Sequence, residues 1–212
     1  MTDQAATSIQ LATWNVNSIK ARLPRVLEWL AEAAPDVALL QETKSVNETF
    51  PVLEIGDLGY NVEVSGQKTY NGVAILSRLP FVDSGVRDWC GKTDCRHVWA
   101  TLENGVEVNN FYVPAGGDVP DTALNDKFAH KLQFLGEMIN WFAARSAPAN
   151  KLVLVGDRQQ LSSIDAGKAF AMIQVGGGTV ARMDQNIRQR TDQLRTVAAL
   201  ANIGKAGDAL KV

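Results

Sequence analysis

The 212-residue sequence contains no run of about 18 apolar residues, so it predicts no membrane span. The first ten residues, MTDQAATSIQ, lack the basic region and apolar stretch of a secretory signal, and we expect a cytoplasmic protein. The only two cysteines are Cys90 and Cys95, and His97 lies close to them. Together they offer three ligands, whereas a zinc site needs about four. Reduced thiols are therefore favoured over a metal site. With a net charge of −2, contact with nucleic acid requires a local basic patch or a metal ion.

Two residue types are scarce in the C-terminal part of the chain. All nine glutamates precede residue 151, and Phe170 is the only aromatic residue that follows it. Residues 151–212 carry nine Lys/Arg against five Asp/Glu, whereas residues 1–150 carry twelve against eighteen. Such a step favours a change of sequence origin near residue 150, and the alternative is a terminal helical layer that is poor in aromatic residues.

Hydrophobic periodicity predicts a mixture of strands and helices. One helix is expected over residues 24–34, because Pro24 suits a first turn, and another over residues 122–145. The apolar face expected for the second helix consists of Phe128, Leu132, Leu135, Met138, Ile139 and Phe142. Predicted strands cover residues 9–15, 37–40, 60–64, 73–77, 97–102, 106–113 and 152–155, followed by a helix at 165–174, a strand at 179–183 and a helix at 193–201. This order predicts an α/β fold in the α+β sense, with mixed or antiparallel sheets.

Polar side chains follow several of the predicted apolar strands: Asn15, Glu42, Tyr112 and Asp157. Side chains at the ends of neighbouring strands converge at one rim of a sheet. Carboxylate and amide oxygens at such a rim suit a hard cation such as Mg²⁺. For each residue alone, the alternative is a turn-forming role.

Five motifs occur in a fixed order: T-W-N-V-N-S at 13–18, L-L-Q-E-T-K at 39–44, Y-N-G-V-A-I-L-S at 70–77, N-N-F-Y-V-P-A-G at 109–116 and V-L-V-G-D at 153–157. Their order and spacing closely resemble the exonuclease III branch of the endonuclease/exonuclease/phosphatase family, the bacterial apurinic/apyrimidinic DNA-repair endonucleases. The resemblance runs from residue 9 to residue 157. It covers roughly the N-terminal three fifths of such an enzyme. It implies a partial form of that family's two-sheet sandwich, with a mixed sheet and flanking helices.

By that resemblance, Glu42 and Asn15 would form a site for Mg²⁺ or Mn²⁺, with Asn15 also supporting the phosphate. Tyr112 would contact the scissile phosphate, and Asp157 would position the attacking water or the leaving oxygen. The residues that match DNA-facing positions of the family are Lys44, Lys68, Tyr70 and Asn71.

The resemblance stops at Asp157. The family continues with one residue and then an active-site Asn, where this chain has Arg158 and Gln159. Near its C-terminus the family also has a Ser-Asp-His segment that holds the catalytic histidine. The only histidines here are His97 and His130, and neither follows an aspartate. We therefore expect descent from a Mg²⁺-dependent nuclease for abasic-site cleavage and 3′-exonuclease action on DNA, with an incomplete active site.

Residues 151–212 resemble another family. The segments V-L-V-G-D-R-Q-Q-L at 153–161 and N-I-R-Q-R at 186–190 are similar to motifs of superfamily 1 helicases, in particular the motors of conjugative relaxase-helicases. In such motors Gln160 would sense the ATP γ-phosphate and Arg188 would stabilise its charge. No G-x-x-x-x-G-K-[ST] loop occurs, so we interpret both residues as relics and expect no ATP binding.

The two resemblances meet at V-L-V-G-D, which belongs to both families. We interpret the chain as a chimera of an exonuclease III-like part, residues 1–157, and an α/β helicase-derived segment, residues 151–212, joined between residues 148 and 157. Because half of the nuclease sandwich has no counterpart, uncovered apolar surface predicts self-association. The alternative function is a non-catalytic scaffold that binds DNA or a partner chain, without ATPase activity.

Overall fold

The structure is a computed structural model, and it describes residues 8–145 and Val153. All of these residues belong to the first of the two units of the chain, Met1–Val155. Predictions that fall on other residues lie outside this part: the strand at 152–155, the elements at 165–174, 179–183 and 193–201, and the side chains of Asp157, Gln160 and Arg188.

Seven strands and three helices follow one another within residues 8–145. The strands are β1 (Leu11–Asn15), β2 (Val37–Gln41), β3 (Asn61–Ser65), β4 (Val73–Ser77), β5 (Phe81–Val86), β6 (His97–Leu102) and β7 (Glu107–Phe111). The helices are α1 (Ile19–Ala33), α2 (Val52–Gly56) and α3 (Asp126–Arg145), and a 3-10 turn covers Asn47–Thr49. None of these helices is both long and apolar enough to cross a membrane.

The strands form two sheets. A four-stranded sheet has the order β1-β2-β4-β3, and a three-stranded sheet has the order β5-β6-β7. β1 and β2 are parallel, because α1 carries the chain back between them, and all other pairs are antiparallel. This mixed architecture confirms the predicted fold class.

Two apolar layers hold the sheets in place. The layer between the sheets contains Val37, Leu39, Val73 and Ile75 from β2 and β4, and Val98, Ala100, Leu102 and Val108 from β6 and β7. The layer on the other side of the first sheet packs α1 against the remaining side chains of β2 and β4. Since β2 and β4 are covered on both faces, they carry continuous apolar runs, and this is why the sequence predicts them well.

The first helix begins earlier than the sequence analysis predicts. α1 starts at Ile19, because the Ser18 hydroxyl caps it and accepts a hydrogen bond from the Ala21 N–H at 3.4 Å. Pro24 is therefore exposed in the second turn rather than placed in the first. The prediction of a start at Pro24 is therefore wrong, because Ser18 rather than the proline marks the beginning of the helix.

The long helix is also corrected at its start and on its apolar face. α3 begins at Asp126 rather than near residue 122, because the Asn125 side chain accepts hydrogen bonds from the Lys127 and Phe128 N–H groups. The buried residues are Lys131, Phe134 and Met138, which pack toward a cluster around Trp89 and Phe111. Leu132 and Ile139, expected on the buried face, are 46% and 55% exposed. Met138, Leu135 and Phe142 of the predicted face do pack in this cluster, so the prediction is wrong for Leu132 and Ile139 and lacks Phe134.

β5 and α2 are absent from the sequence prediction. β5 lies at the edge of its sheet, and its polar central residues, Asp83 and Ser84, hide the strand pattern. Within it, Gly85 lies flat against the Trp99 indole, where an added Cβ would come within 3.0 Å of the ring. α2 covers only five residues, which is too short for a helical period to show.

Candidate active site

The inter-sheet layer changes from apolar to polar at one rim. Strand alternation places Gln41 on the same face of β2 as Leu39, and Thr13 and Asn15 together on one face of β1. On β7, the buried Asn110 follows Val108 by two residues, and Tyr112 continues the same alternation just after the strand. The strands of both sheets therefore deliver polar side chains to the same place.

Glu42 joins this rim through its backbone rather than through alternation. Strict alternation would direct Glu42 away from Gln41, but Glu42 follows the end of β2 with a φ of 54°. Left-handed backbone is unfavourable for a glutamate and tends to persist where surrounding contacts impose it. Here the Glu42 carbonyl accepts a hydrogen bond from the Ser18 N–H at 2.8 Å, and the next N–H, of Thr43, donates to the Gly72 carbonyl at 3.1 Å.

Three donors converge on the Glu42 carboxylate. The Asn15 amide Nδ2 and the Tyr112 hydroxyl donate to Oε1 at 2.7 and 2.8 Å, and the Lys44 ammonium lies 3.1 Å from Oε2. Burial alone would raise the pKa of Glu42, but these hydrogen bonds outweigh it and lower the pKa below its usual value. Glu42 is therefore ionised at neutral pH and is the centre of the site.

Tyr112 is held as a neutral donor. Burial, the hydrogen bond to Glu42 and the negative charge of that carboxylate raise the pKa of Tyr112 to about 12. The Arg96 guanidinium lies 5.0 Å from the centre of the Tyr112 ring and also donates to the Tyr112 carbonyl at 3.1 Å. Both the ring and the backbone of Tyr112 are thus fixed by Arg96, which is itself paired with Asp94.

Lys44, expected to face DNA, lies within the site. Besides its ion pair with Glu42, its ammonium donates to the Asn17 side-chain oxygen at 2.5 Å. Its own side chain is 30% exposed, so it remains accessible from the rim.

The loop of residues 66–72 is tied to the segment after Glu42. Besides the Thr43–Gly72 contact, the Lys44 N–H donates to the Asn71 carbonyl at 3.0 Å. The Asn71 side chain donates to the Asp94 carbonyl at 2.9 Å, so it anchors the loop. Lys68, Thr69 and Tyr70 are exposed, Tyr70 by 69%, so these loop side chains are available to a ligand.

Comparison with known proteins agrees with this geometry. The profile of the Endonuclease/Exonuclease/phosphatase family matches residues 12–157, and that of an AAA domain matches residues 136–212. The chain belongs to the Endonuclease/Exonuclease/phosphatase family. The match includes β1, β2 and β7, so Asn15, Glu42 and Tyr112 all lie inside the family region.

Individual relatives of the family are DNA-processing enzymes. Exodeoxyribonuclease III of Haemophilus influenzae is 30% identical over 166 residues, which is 75% of this chain and 61% of that protein. A 3′ phosphatase from Neisseria, solved bound to a product DNA hairpin, is 35% identical over 65% of this chain and 52% of its own, with a TM-score of 0.59. An AP endonuclease from Archaeoglobus fulgidus is 36% identical over 66% of this chain and 53% of its own, also with a TM-score of 0.59. The chain thus spans between half and two thirds of the length of these relatives.

The side chains around Glu42 have the chemistry that a metal ion requires. Among residues 8–145, no group of three or more His, Cys, Asp or Glu side chains could hold a metal. Mg²⁺, however, is often bound through only one or two protein carboxylates. The ionised Glu42, with its side chain 20% exposed, offers one such ligand, and the Asn15 amide lies beside it. Glu42 and Asn15 are the residues that would hold such an ion, and the Lys44 ammonium already lies 3.1 Å from Glu42 Oε2.

Sequence reasoning missed Arg96, Gln41 and Asn110. Asn110 had a usable signal, because it is a polar residue at the inward position next to Val108 in an otherwise apolar pattern. Arg96 gave no signal of this kind, since its contact with Tyr112 depends on the pairing of β6 with β7.

The cysteine and histidine residues do not contribute to the site. Cys90 and Cys95 are free thiols. His97 is buried in the aromatic cluster, where its ring stacks on Phe111 at 3.9 Å, and His130 lies on α3. His97 is therefore a core residue.

Proposed function

We propose that the chain derives from a DNA-repair nuclease and that its rim binds a DNA phosphodiester and supports slow, Mg²⁺- or Mn²⁺-dependent cleavage. The observation that carries this proposal is the convergence of Asn15 and Tyr112 on one oxygen of Glu42. An abasic DNA duplex is the proposed substrate, because one relative is an AP endonuclease and another an exodeoxyribonuclease III.

Each rim residue has a role that its contacts support. Glu42, with Asn15 beside it, would hold the metal ion, which when bound supplies positive charge to a phosphate oxygen. Tyr112 keeps its proton at neutral pH and can donate it in a hydrogen bond to a phosphate oxygen. Lys44 adds a positive charge at the rim, and Lys68 and Tyr70 lie on the exposed loop.

The slow rate follows from the lack of a histidine at the rim, since the chain has only two histidines and neither bonds to Glu42. His97 lies in the aromatic cluster, and His130 lies on α3, outside the hydrogen-bond set of Glu42. Loss of one general acid or base lowers a rate by about 10²–10⁴-fold. The overlap of the two family matches between residues 136 and 157 supports a chimera whose C-terminal part comes from elsewhere.

The test is cleavage of an end-labelled abasic duplex with Mg²⁺ by the full chain and by Glu42→Ala. Exposed Glu54 on α2 provides a matched control, Glu54→Ala. We expect slow turnover by the wild type and the control and none by Glu42→Ala. ATP hydrolysis should be absent in all three. Equal rates for wild type and Glu42→Ala would contradict the proposal.

A non-catalytic DNA-binding scaffold is the second candidate. It is favoured by the ion pair between Lys44 and Glu42, because the protein's own cation already neutralises the carboxylate. Titration of Mg²⁺ with tryptophan fluorescence separates the two functions, since Trp14 directly precedes Asn15. A response below about 10 mM supports the metal-dependent function, and its absence supports the scaffold.

A further inference from the structure

A network of side-chain amides lies directly behind the rim. The Gln41 amide Nε2 donates to the Asn110 side-chain oxygen at 2.7 Å and to the Thr13 hydroxyl at 3.0 Å. The Asn110 amide Nδ2 donates to the carbonyls of Leu40 and Ala74 at 2.8 and 2.9 Å. Leu40 and Ala74 face each other across β2 and β4, so Asn110 bonds to both central strands of the opposite sheet.

Core packing does not explain Asn110. Its side chain is 1% exposed and belongs to the face that Val108 fills with an apolar side chain two residues earlier. An amide in such a layer is costly unless its polar groups are paired, and here its oxygen and both of its N–H donors are. An aliphatic residue would fill the same layer without that requirement.

The members of the network stand next to the site residues in sequence. Thr13 precedes Asn15 by two residues on β1, and Gln41 directly precedes Glu42. Asn110 precedes Tyr112 by two residues. One set of hydrogen bonds thus joins the strands that carry the three rim side chains.

The network crosses from one sheet to the other. Tyr112 follows β7 in the three-stranded sheet, whereas Glu42 and Asn15 belong to the four-stranded sheet. Aliphatic contacts between sheets are non-directional and tolerate small displacements, whereas hydrogen bonds fix distance and angle. The amide contacts are therefore suited to hold the Tyr112 hydroxyl within bonding distance of Glu42.

We propose that Gln41 and Asn110, with Thr13 at the outer end, are positioning residues that fix the strand of Tyr112 relative to that of Glu42. The expected effect on turnover rests on the proposed function. The position of Tyr112 relative to Glu42, however, can be observed without turnover. None of the three residues needs to touch the substrate.

The test replaces both amides at once, in Gln41→Leu/Asn110→Leu. Because both partners are removed, no amide of the pair is left unpaired, but the carbonyls of Leu40 and Ala74 lose the Asn110 donors, so the double variant should unfold at a lower temperature than the wild type. Leu102→Val serves as the control, since Leu102 is a buried residue of the same layer at the far end of β6. Thermal unfolding compares the three proteins.

The direct readout is the ¹³Cζ resonance of Tyr112 in tyrosine-labelled protein. The chain has three tyrosines, and Tyr112→Phe identifies the resonance of interest. We expect the Tyr112 resonance to move or broaden in the double variant, and those of Tyr60 and Tyr70 to stay. In Leu102→Val all three should stay. Where the wild type turns over, kcat should fall about 10–100-fold in the double variant, with KM nearly unchanged, because the loss is one of alignment.

An unchanged Tyr112 resonance in a folded double variant would overturn the proposal, whatever the activity of the wild type. If the wild type and Glu42→Ala are equally inactive, the proposed function fails, and the resonance alone still decides this inference. If the double variant does not fold, Gln41→Glu provides the same reading, because it keeps the length of the side chain and places an oxygen against the Asn110 oxygen. A Tyr112 resonance unmoved in that variant would equally overturn the proposal.

Discussion

Acid should destabilise this protein through His97. The imidazole is 1% exposed, stacks on the Phe111 ring with an angle of 8° between planes, and lies 5.4 Å from the rings of Trp89 and Trp141. Its Nε2 is 3.0 Å from the Asn109 side-chain oxygen, and its buried Nδ1 has no hydrogen-bond partner among the described residues. Burial outweighs the Asn109 contact and lowers the pKa of His97 from 6.5 to about 4.

The sign and size of the effect follow from proton linkage. Between the two pKa values the unfolded chain binds a proton at residue 97 that the folded chain does not, so stability falls as the pH falls. Between about pH 7 and pH 4.5, His97 should remove about 2 kcal/mol from the free energy of unfolding. Glu42, whose pKa is also lowered, adds to the acid loss, so a single protein does not isolate the histidine.

The contribution of His97 to the loss of stability in acid is isolated by comparing the wild type with His97→Phe. Phenylalanine keeps an aromatic ring against Phe111 and removes the titrating group. Loss of the Asn109 contact changes the stability at both pH values, and this change cancels in the difference. Urea unfolding, followed by tryptophan fluorescence, should show that the wild type loses about 2 kcal/mol more than the variant between the two pH values. Equal losses would refute the assignment of His97 as a neutral core residue.

Two further predictions concern the loop after Glu42 and the exposed face of α3. Gly72 and Gly59 have similar φ values of +89° and +85°, but a Cβ at Gly72 would lie 2.2 Å from the Thr43 hydroxyl, whereas at Gly59 it would meet nothing within 4 Å. Gly72→Ala should therefore lose about 1–3 kcal/mol more stability than Gly59→Ala in urea unfolding, and equal losses would contradict the close packing. The full chain should self-associate through exposed apolar residues, and the double variant Leu132→Lys/Ile139→Lys should have a lower mass by light scattering than the wild type. A monomeric wild type at high concentration would rule this out.

Central strands of both sheets could be predicted from the sequence. The predicted range 73–77 coincides with β4, and 97–102 coincides with β6. The prediction failed for the edge strand β5, whose central residues are polar, and for part of the apolar face of α3. In α3, Phe134 is buried rather than Leu132 because Phe134 packs in the aromatic cluster around Trp89. A local sequence pattern does not contain this tertiary contact.

The site shows the same division between local pattern and tertiary contact. Asn15 and Tyr112 reach the rim by strand alternation, which the sequence carries, and they bond to one oxygen of Glu42. Glu42 reaches it only because residue 42 adopts a φ of 54°, a conformation that costs about 1–3 kcal/mol where it is strained. The contacts that impose it come from Ser18 and Gly72, about 24 and 30 residues away in the chain. A motif can therefore identify the Glu42 carboxylate, but the direction of that side chain depends on the loop of residues 66–72. Changes in this loop should affect the site even when every rim residue is kept.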